Sequence, residues 1–209
     1  MSEIAKRRIT NFWISPTWLQ GLCDFIERSV KKPDISSLRA IYVGAAHFHP
    51  AVKRQAERTF GQIIWENYAT TEVGLISILR PEELLKKPTT VGRVAPGVEV
   101  EIRDDEGSAV SIGTPGTIFV KNELTNGSFR QGDDFGKLDE DGFLTILGRT
   151  VERIVHSGMT VFPREIENEL MEMPGIQESH VIGIPTESGD QLVVAAVVPK
   201  IGSRLKEVA

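Results

Sequence analysis

Residues 39–65 read RAIYVGAAHFHPAVKRQAERTFGQIIW, and this stretch decides the fold. Arg39 to Val43 is a short apolar run ending at Gly44, the pattern of a buried strand. Pro50 then opens a helix with Val52, Ala56 and Phe60 recurring on its apolar side, and Gly61 stops it. Gln62 to Trp65 reads as a second short apolar strand. Strand, helix and strand in succession make a βαβ unit, which implies parallel pairing and a right-handed crossover.

Upstream, Ser15-Pro16 is a helix start, a hydroxyl cap followed by proline at the first helical position. Leu19, Leu22, Cys23, Ile26 and Val30 follow at helical spacing, and Lys31-Lys32 before Pro33 close that helix. Downstream the character changes. Val98 to Ile102 alternates apolar and polar, Asp104 to Gly107 is a turn, and Gly116 to Lys121 is a return strand. Phe143 to Leu147, after the Asp141-Gly142 turn, is a third strand, so this part is antiparallel β. From Gly148 a short strand (Arg153 to Val155), a helix from Pro163 carrying Ile166, Leu170 and Met171, and two strands (Ser179 to Ile184, Leu192 to Val198) suggest a small α+β domain. Pro199 to Gly202 reads as a turn. The expected class is α/β with α+β, divided into residues 1–148, a βαβ unit with a β-rich subdomain, and residues 149–209, a small α+β domain.

Composition narrows the function. The 209 residues are 40% hydrophobic and 25% charged, an ordinary globular mixture long enough to bury a core. The net charge is −5 with no basic run, which argues against nucleic acid as a partner. The lone Cys23 forms no internal disulfide and excludes multi-cysteine zinc sites; its place on the apolar helix side makes it core. No apolar stretch is long enough to span a bilayer, and the first residues lack the apolar run of a signal peptide, so a cytoplasmic protein is expected.

Three clusters could carry chemistry. Asn67-Tyr68-Ala69-Thr70-Thr71-Glu72 follows directly on a parallel strand, at the end where α/β proteins bind ligands. Hydroxyls beside a carboxylate suit phosphate contact and a magnesium ligand, though the same residues also read as a capped helix start. Gly44-Ala45-Ala46, also at a strand end, allows a flat ligand near the backbone, or simply tight helix–strand packing. Asp133, in Gly132-Asp133-Asp134, could accept both hydrogens of a ribose diol, and Arg149, after Gly148, offers fixed donors to sugar or phosphate oxygens. A surface turn and a solvated arginine explain those residues equally. Other patterns fail. Gly127 to Gly132 has phosphate-loop spacing but puts Asp133 where lysine belongs. His47 and His49 lack further ligands nearby, and His156-Ser157 lacks the glycines of a nucleophile elbow.

In order along the chain, Leu38 to Pro50, Tyr68 to Glu72, Gly132 to Arg149 and Gly158 to Glu167 resemble the adenylate-forming superfamily of acyl-CoA synthetases, peptide-synthetase adenylation domains and luciferases. The resemblance implies that Gly44, Ala45 and Ala46 lie along adenine and the acyl pocket, and that Tyr68 stacks near adenine. Thr71 would contact the α-phosphate and Glu72 would hold Mg²⁺, as the catalytic pair. Asp133 and Arg149 would bind the ribose. Gly158 would belong to the loop that enters the site for the thioester step, ahead of the Pro163-Arg164-Glu165-Ile166-Glu167 helix start, and Val151 would be the hinge. The reaction implied joins a small carboxylic acid to ATP, giving acyl-AMP, then to a thiol of CoA or a carrier protein. The family's phosphate loop and C-terminal lysine do not occur in these residues, so the chain is expected to be an internal fragment, the end of the large domain plus an incomplete small domain, with little adenylation by itself. A nucleotide- or partner-binding module without catalysis is the alternative. A homodimer or a complementing polypeptide is the expected association, with Trp13, Trp18, Phe48 and Trp65 as anchors.

Overall fold

The structure, a computed structural model, describes residues 2–200 together with Gly202 and Ser203. Two compact units divide the chain: residues 1–101, 119–131 and 138–145 form the first, and residues 102–118, 132–137 and 146–209 the second.

The first unit begins with α1 (Ser2–Arg7) and is built on a five-stranded sheet. Strands β1 (Asn11–Ile14), β2 (Ala40–Val43) and β3 (Ile64–Thr70) run parallel, with α2 (Pro16–Arg28) and α3 (Pro50–Phe60) as the crossovers. Strands β4 (Gly74–Leu79) and β5 (Arg93–Val94) then add antiparallel. The βαβ unit expected around residues 39–65 is therefore present, preceded by a second one. Both helices start at proline, and each turns a row of apolar residues inward: Leu19, Cys23 and Ile26 on α2, Val52, Ala56 and Phe60 on α3. Ile41, Val43 and Ile64 are fully buried on the sheet. Each such side chain contributes about 1.5–3 kcal/mol by leaving water.

Several details differ from the sequence reading. Ser15 occupies the cap position of α2, but its hydroxyl makes no capping hydrogen bond. Val30 lies beyond that helix, fully exposed. Of the two lysines expected to close it, Lys32 does so, its Nζ reaching back to the carbonyls of Ile26 (2.7 Å) and Glu27 (3.0 Å). The strand read as Gln62 to Trp65 starts at Ile64 and runs on to Thr70, so Thr71 and Glu72 occupy the turn of a β3–β4 hairpin and not a helix start. Phe48 is only 1% exposed and belongs to the core, so it anchors no partner, whereas Trp13 and Trp18 are 58% and 76% exposed.

Four strands follow in a meander with neighbours in chain order: β6 (Glu99–Arg103), β7 (Gly116–Lys121), β8 (Arg130–Leu138) and β9 (Leu144–Arg149). Strand β8 holds Gly132, Asp133 and Asp134, for which the sequence also allowed a surface turn. Two paired neighbours on either side make this polar, glycine-containing segment extended, overriding its weak β propensity.

The rest of the second unit pairs β10 (Ile154–His156) with β11 (Met159–Val161), and β12 (Ile176–Pro185) with β13 (Gln191–Pro199), both antiparallel. Helix α4 (Pro163–Glu172) packs on β12, with Ile154, Met171, Ile176 and Val181 as its core. The buried Glu167 carboxylate accepts the Val181 amide at 2.9 Å. Of the turn expected at Pro199 to Gly202, Ile201 lies outside the described residues. No described helix is long and apolar enough to cross a membrane.

Candidate functional site

The C-terminal ends of β2 and β3 carry the first predicted cluster. Gly44 follows β2 and is buried. A Cβ there would come within 2.9 Å of the Asn67 carbonyl oxygen on β3, so only glycine lets the two strand ends approach so closely. Ala45 and Ala46 are exposed, and Ala45 adopts φ 68°, a left-handed backbone that favours glycine. Beside them, β3 is irregular. Its register against β4 shifts between Tyr68 and Ala69, a bulge of the kind that re-aims side chains near functional sites. Tyr68 is half-buried, while Thr71 and Glu72 are exposed on the turn.

What fixes this turn lies deeper. Lys53 of α3 and Glu66 of β3 form a buried ion pair at 2.6 Å, and Lys53 Nζ also donates to the Thr90 carbonyl at 2.9 Å. Burial pushes the Lys53 ammonium below its usual pKa, and the adjacent Glu66 carboxylate opposes that shift. Ser77 of β4, fully buried, donates to the Val91 carbonyl at 2.8 Å. The turn itself is held by a residue the sequence reading passed over: Asn122 donates from Nδ2 to the Val73 carbonyl at 2.8 Å. Asn122 and Thr125 cap one another around residues 123–125, and that N-x-x-T spacing was the available signal.

In the second unit, Asp133 and Arg149 meet. The Arg149 guanidinium lies 3.4 Å from Asp133 Oδ2 and 3.6 Å from Asp134 Oδ1. The Asp133 side chain is 81% exposed, so the pair adds little stability but leaves carboxylate oxygens open to a ligand. Gly132 suits the close approach of β8 to β7, since a Cβ there would sit 3.2 Å from the Ile118 carbonyl oxygen. Val151 stands 92% exposed in a 3₁₀ turn, Thr150–Glu152, between β9 and β10. Gly158 forms the β10–β11 hairpin turn with Ser157, at φ 77° and 50° respectively.

Other features carry none of the predicted residues. An open cleft of about 430 Å³ in the first unit is lined by Glu99, Lys121, Asn122 and Asn126, and the Lys121–Glu99 ion pair (2.9 Å) lies in it. The His47 and His49 rings meet edge to face at 4.3 Å. Cys23 is buried, which pushes its thiol up to about 11 and away from reactivity. Among the described residues no group of three or more His, Cys, Asp or Glu side chains could hold a metal by itself.

Known proteins share this fold. Residues 1–127 match the family model described as AMP-binding enzyme, and residues 165–209 match the AMP-binding enzyme C-terminal domain. An uncharacterized acyl-CoA ligase of Bacillus subtilis is 30% identical over 210 residues, covering 96% of this chain and 43% of that protein. Among solved structures, an amide bond synthetase from Marinactinospora thermotolerans superposes with a TM-score of 0.89 at 30% identity, covering 98% of this chain and 45% of that one. An anthranilate CoA ligase in complex with anthranoyl-AMP does so with 0.86 at 25% identity, covering 99% and 42%. The chain spans about two fifths of the length of the curated relatives it matches. With the first family model running over more than half of its 209 residues, the chain belongs to the AMP-binding enzymes.

Proposed function

We infer that these residues serve an ATP-dependent acid–thiol ligase, in which a carboxylic acid becomes an acyl-adenylate and is then passed to a thiol such as CoA. The observation that carries this reading is the succession of both AMP-binding family matches along one chain, in the expected order. A ligase relative and a CoA ligase solved with an acyl-AMP support it. In this reading residues 1–148 are the end of the large domain and residues 149–209 belong to the small one, with Val151 as the hinge.

The roles are those the family resemblance implies, and the donor chemistry of the residues suits them. Asp133, exposed, accepts both ribose hydroxyl hydrogens, while Arg149 keeps its carboxylate oriented and donates to sugar oxygens. Tyr68 and the bare backbone at Gly44 to Ala46 receive the flat adenine. The Thr71 hydroxyl donates to an α-phosphate oxygen as the acid's carboxylate attacks phosphorus and the bond to pyrophosphate breaks. Glu72 fits Mg²⁺ in one specific sense: an exposed carboxylate beside a hydroxyl gives only oxygen donors, and Mg²⁺ is commonly held by one carboxylate plus substrate phosphates. Bound there, the ion would neutralise charge on the phosphates. In the second step the thiol sulfur attacks the acyl carbon and AMP departs, with Gly158 on the loop that admits the thiol.

Calorimetric titration with AMP tests the nucleotide site. Binding is expected, and Asp133→Ala should weaken it by about 1.5–3 kcal/mol, roughly tenfold or more. No heat at millimolar AMP overturns the reading. Carboxylate-dependent pyrophosphate exchange then separates an enzyme from a binding module: exchange above blank makes these 209 residues catalytic, and AMP binding without exchange favours the module. The amide bond synthetase neighbour favours one second reading, an amine acceptor, tested by offering an amine in place of CoA.

A further inference from the structure

We propose that Asp190 is a positioning residue for the thioester step, its carboxylate presetting the Ser157–Gly158 turn in the shape that step uses; this rests on the reading of the turn given above. The turn joins β10 to β11 through two residues, with His156 paired to Met159. Two-residue hairpins of this kind need positive φ at both positions, and Ser157 (50°) and Gly158 (77°) provide it. Glycine enters that region freely. Serine does not, so a serine there persists only where its surroundings hold it.

Asp190 does the holding, from 33 residues away. The Ser157 amide donates to both carboxylate oxygens, at 2.9 and 3.1 Å, and the Ser157 hydroxyl lies 3.4 Å from Oδ2. The neighbouring Gln191 extends the grip: its Oε1 accepts the Val155 amide at 2.6 Å, and its carbonyl meets His156 Nδ1 at 2.7 Å. His156 Nδ1 also lies 3.5 Å from Asp190 Oδ2. The clamp is itself anchored. The Asp190 carbonyl accepts both the amide and the hydroxyl of Thr186, each at 2.9 Å, and Oδ1 accepts the Gln191 amide at 2.9 Å. The amide bonds from Ser157 and Gln191 hold the Asp190 carboxyl below its usual pKa, so the clamp is charged at neutral pH.

The consequence falls on Gly158. With Ser157 tied down on one side, the tip of the turn is an exposed glycine beside which a Cβ would find nothing within 4 Å. That leaves open space for a thiol-bearing arm, at a tip whose backbone is fixed before the arm arrives. Preorganisation of this sort lowers the ordering cost of binding. A glycine at position 157 would relieve the backbone but free the turn to sample other shapes, so the serine–aspartate pairing is the informative feature.

The test uses the whole 209-residue chain labelled with ¹⁵N and CoA as the probe. In the unaltered chain CoA should shift the Gly158 and Met159 amides. In Asp190→Ala the Ser157 amide should exchange with solvent at least tenfold faster and the apparent Kd for CoA should rise at least fivefold, while amides of the β12–β13 pair such as Ile182 and Val194 keep their positions. Asp190→Glu should recover most of the CoA response, which a generally loosened domain would not show; Asp190→Leu, of similar shape but with no acceptor, covers the case in which the alanine variant fails to fold. Ser157 exchange within twofold of the unaltered chain in the alanine or leucine variant overturns the clamp. If the clamp loosens as expected but CoA leaves Gly158 unshifted in the unaltered chain, the thioester reading of the turn is what has failed, and the positioning role falls with it.

Discussion

Two turns carry candidate chemistry, and they are built on opposite terms. Thr71 and Glu72 sit at the end of strands rooted in the core of the first unit, where Lys53–Glu66, Ser77 and the apolar faces of α2 and α3 are buried. Ser157 and Gly158 sit between strands of three residues each, and side-chain contacts from Asp190 and Gln191 replace the missing length. A turn of the first kind inherits its geometry from the core and yields only when the core does. A turn of the second kind is held by side chains of Asp190 and Gln191, so their removal should loosen it while β12 and β13 stay folded.

Removing one member of the buried pair is the severest perturbation of the core-held turn. Lys53→Met leaves the Glu66 carboxylate buried without its partner ammonium, and the expected loss is about 3–5 kcal/mol of stability. Urea unfolding followed by tryptophan emission measures it, since Trp13, Trp18 and Trp65 all lie in the first unit. Lys53→Met combined with Glu66→Leu should recover most of the loss, because removing both charges removes the uncompensated one. A single variant as stable as the starting chain would mean that the pair does not support the β3–β4 turn.

How these turns read in sequence follows from the same contrast. Helices α2, α3 and α4 announce themselves through proline starts and apolar residues at helical spacing, and the parallel pairing of β2 with β3 follows from strand–helix–strand. Each of those signals is local. Strand β8 is different: Arg130-Gln131-Gly132-Asp133-Asp134 looks like turn chemistry, and becomes extended only because β7 and β9 flank it. Likewise Thr70-Thr71-Glu72 has the composition of a capped helix, and its place in a hairpin is decided by the pairing of Glu66 to Thr70 with Leu79 to Gly74. The candidate residues themselves are legible as residue types at strand ends or beside glycines. Their supports, Asn122 for one turn and Asp190 for the other, were not, because each acts across more than 30 residues of chain.

A milder perturbation sharpens the contrast from the first side. Asn122→Ala removes the bond to the Val73 carbonyl and the cap on Thr125, for an expected cost of about 1–2 kcal/mol. Because the strands below are core-held, the loss should stay local. Amides of Thr71 to Gly74 should exchange roughly tenfold faster, at about 1.4 kcal/mol per decade, while Ile64 and Ser77 keep their protection. Exchange rising equally along β3 and β4 would show that the turn and the core yield together.

The gentlest test acts on the second turn alone, through pH. The Asp190 carboxyl is held below its ordinary value by the amides of Ser157 and Gln191, and the nearby His156 works in the same direction. A carboxyl whose folded pKa is depressed contributes in full above its unfolded value, about 3.9, and that contribution is lost as pH falls through the folded one. Protonation of Asp190 takes away the acceptor, so the Ser157 amide resonance of the unaltered chain should gain a movement below about pH 4. Asp190→Asn should abolish that movement. Tyr68 and Ser77, on the strands of the other turn, should not follow it, and tryptophan emission checks that the first unit is still folded over the same range. A Ser157 movement that depends on Asp190 yet is centred at or above the ordinary aspartate value, or the absence of any such movement, would mean that the carboxylate does not hold the turn, and the distinction between a core-held and a clamp-held loop would lose its second half.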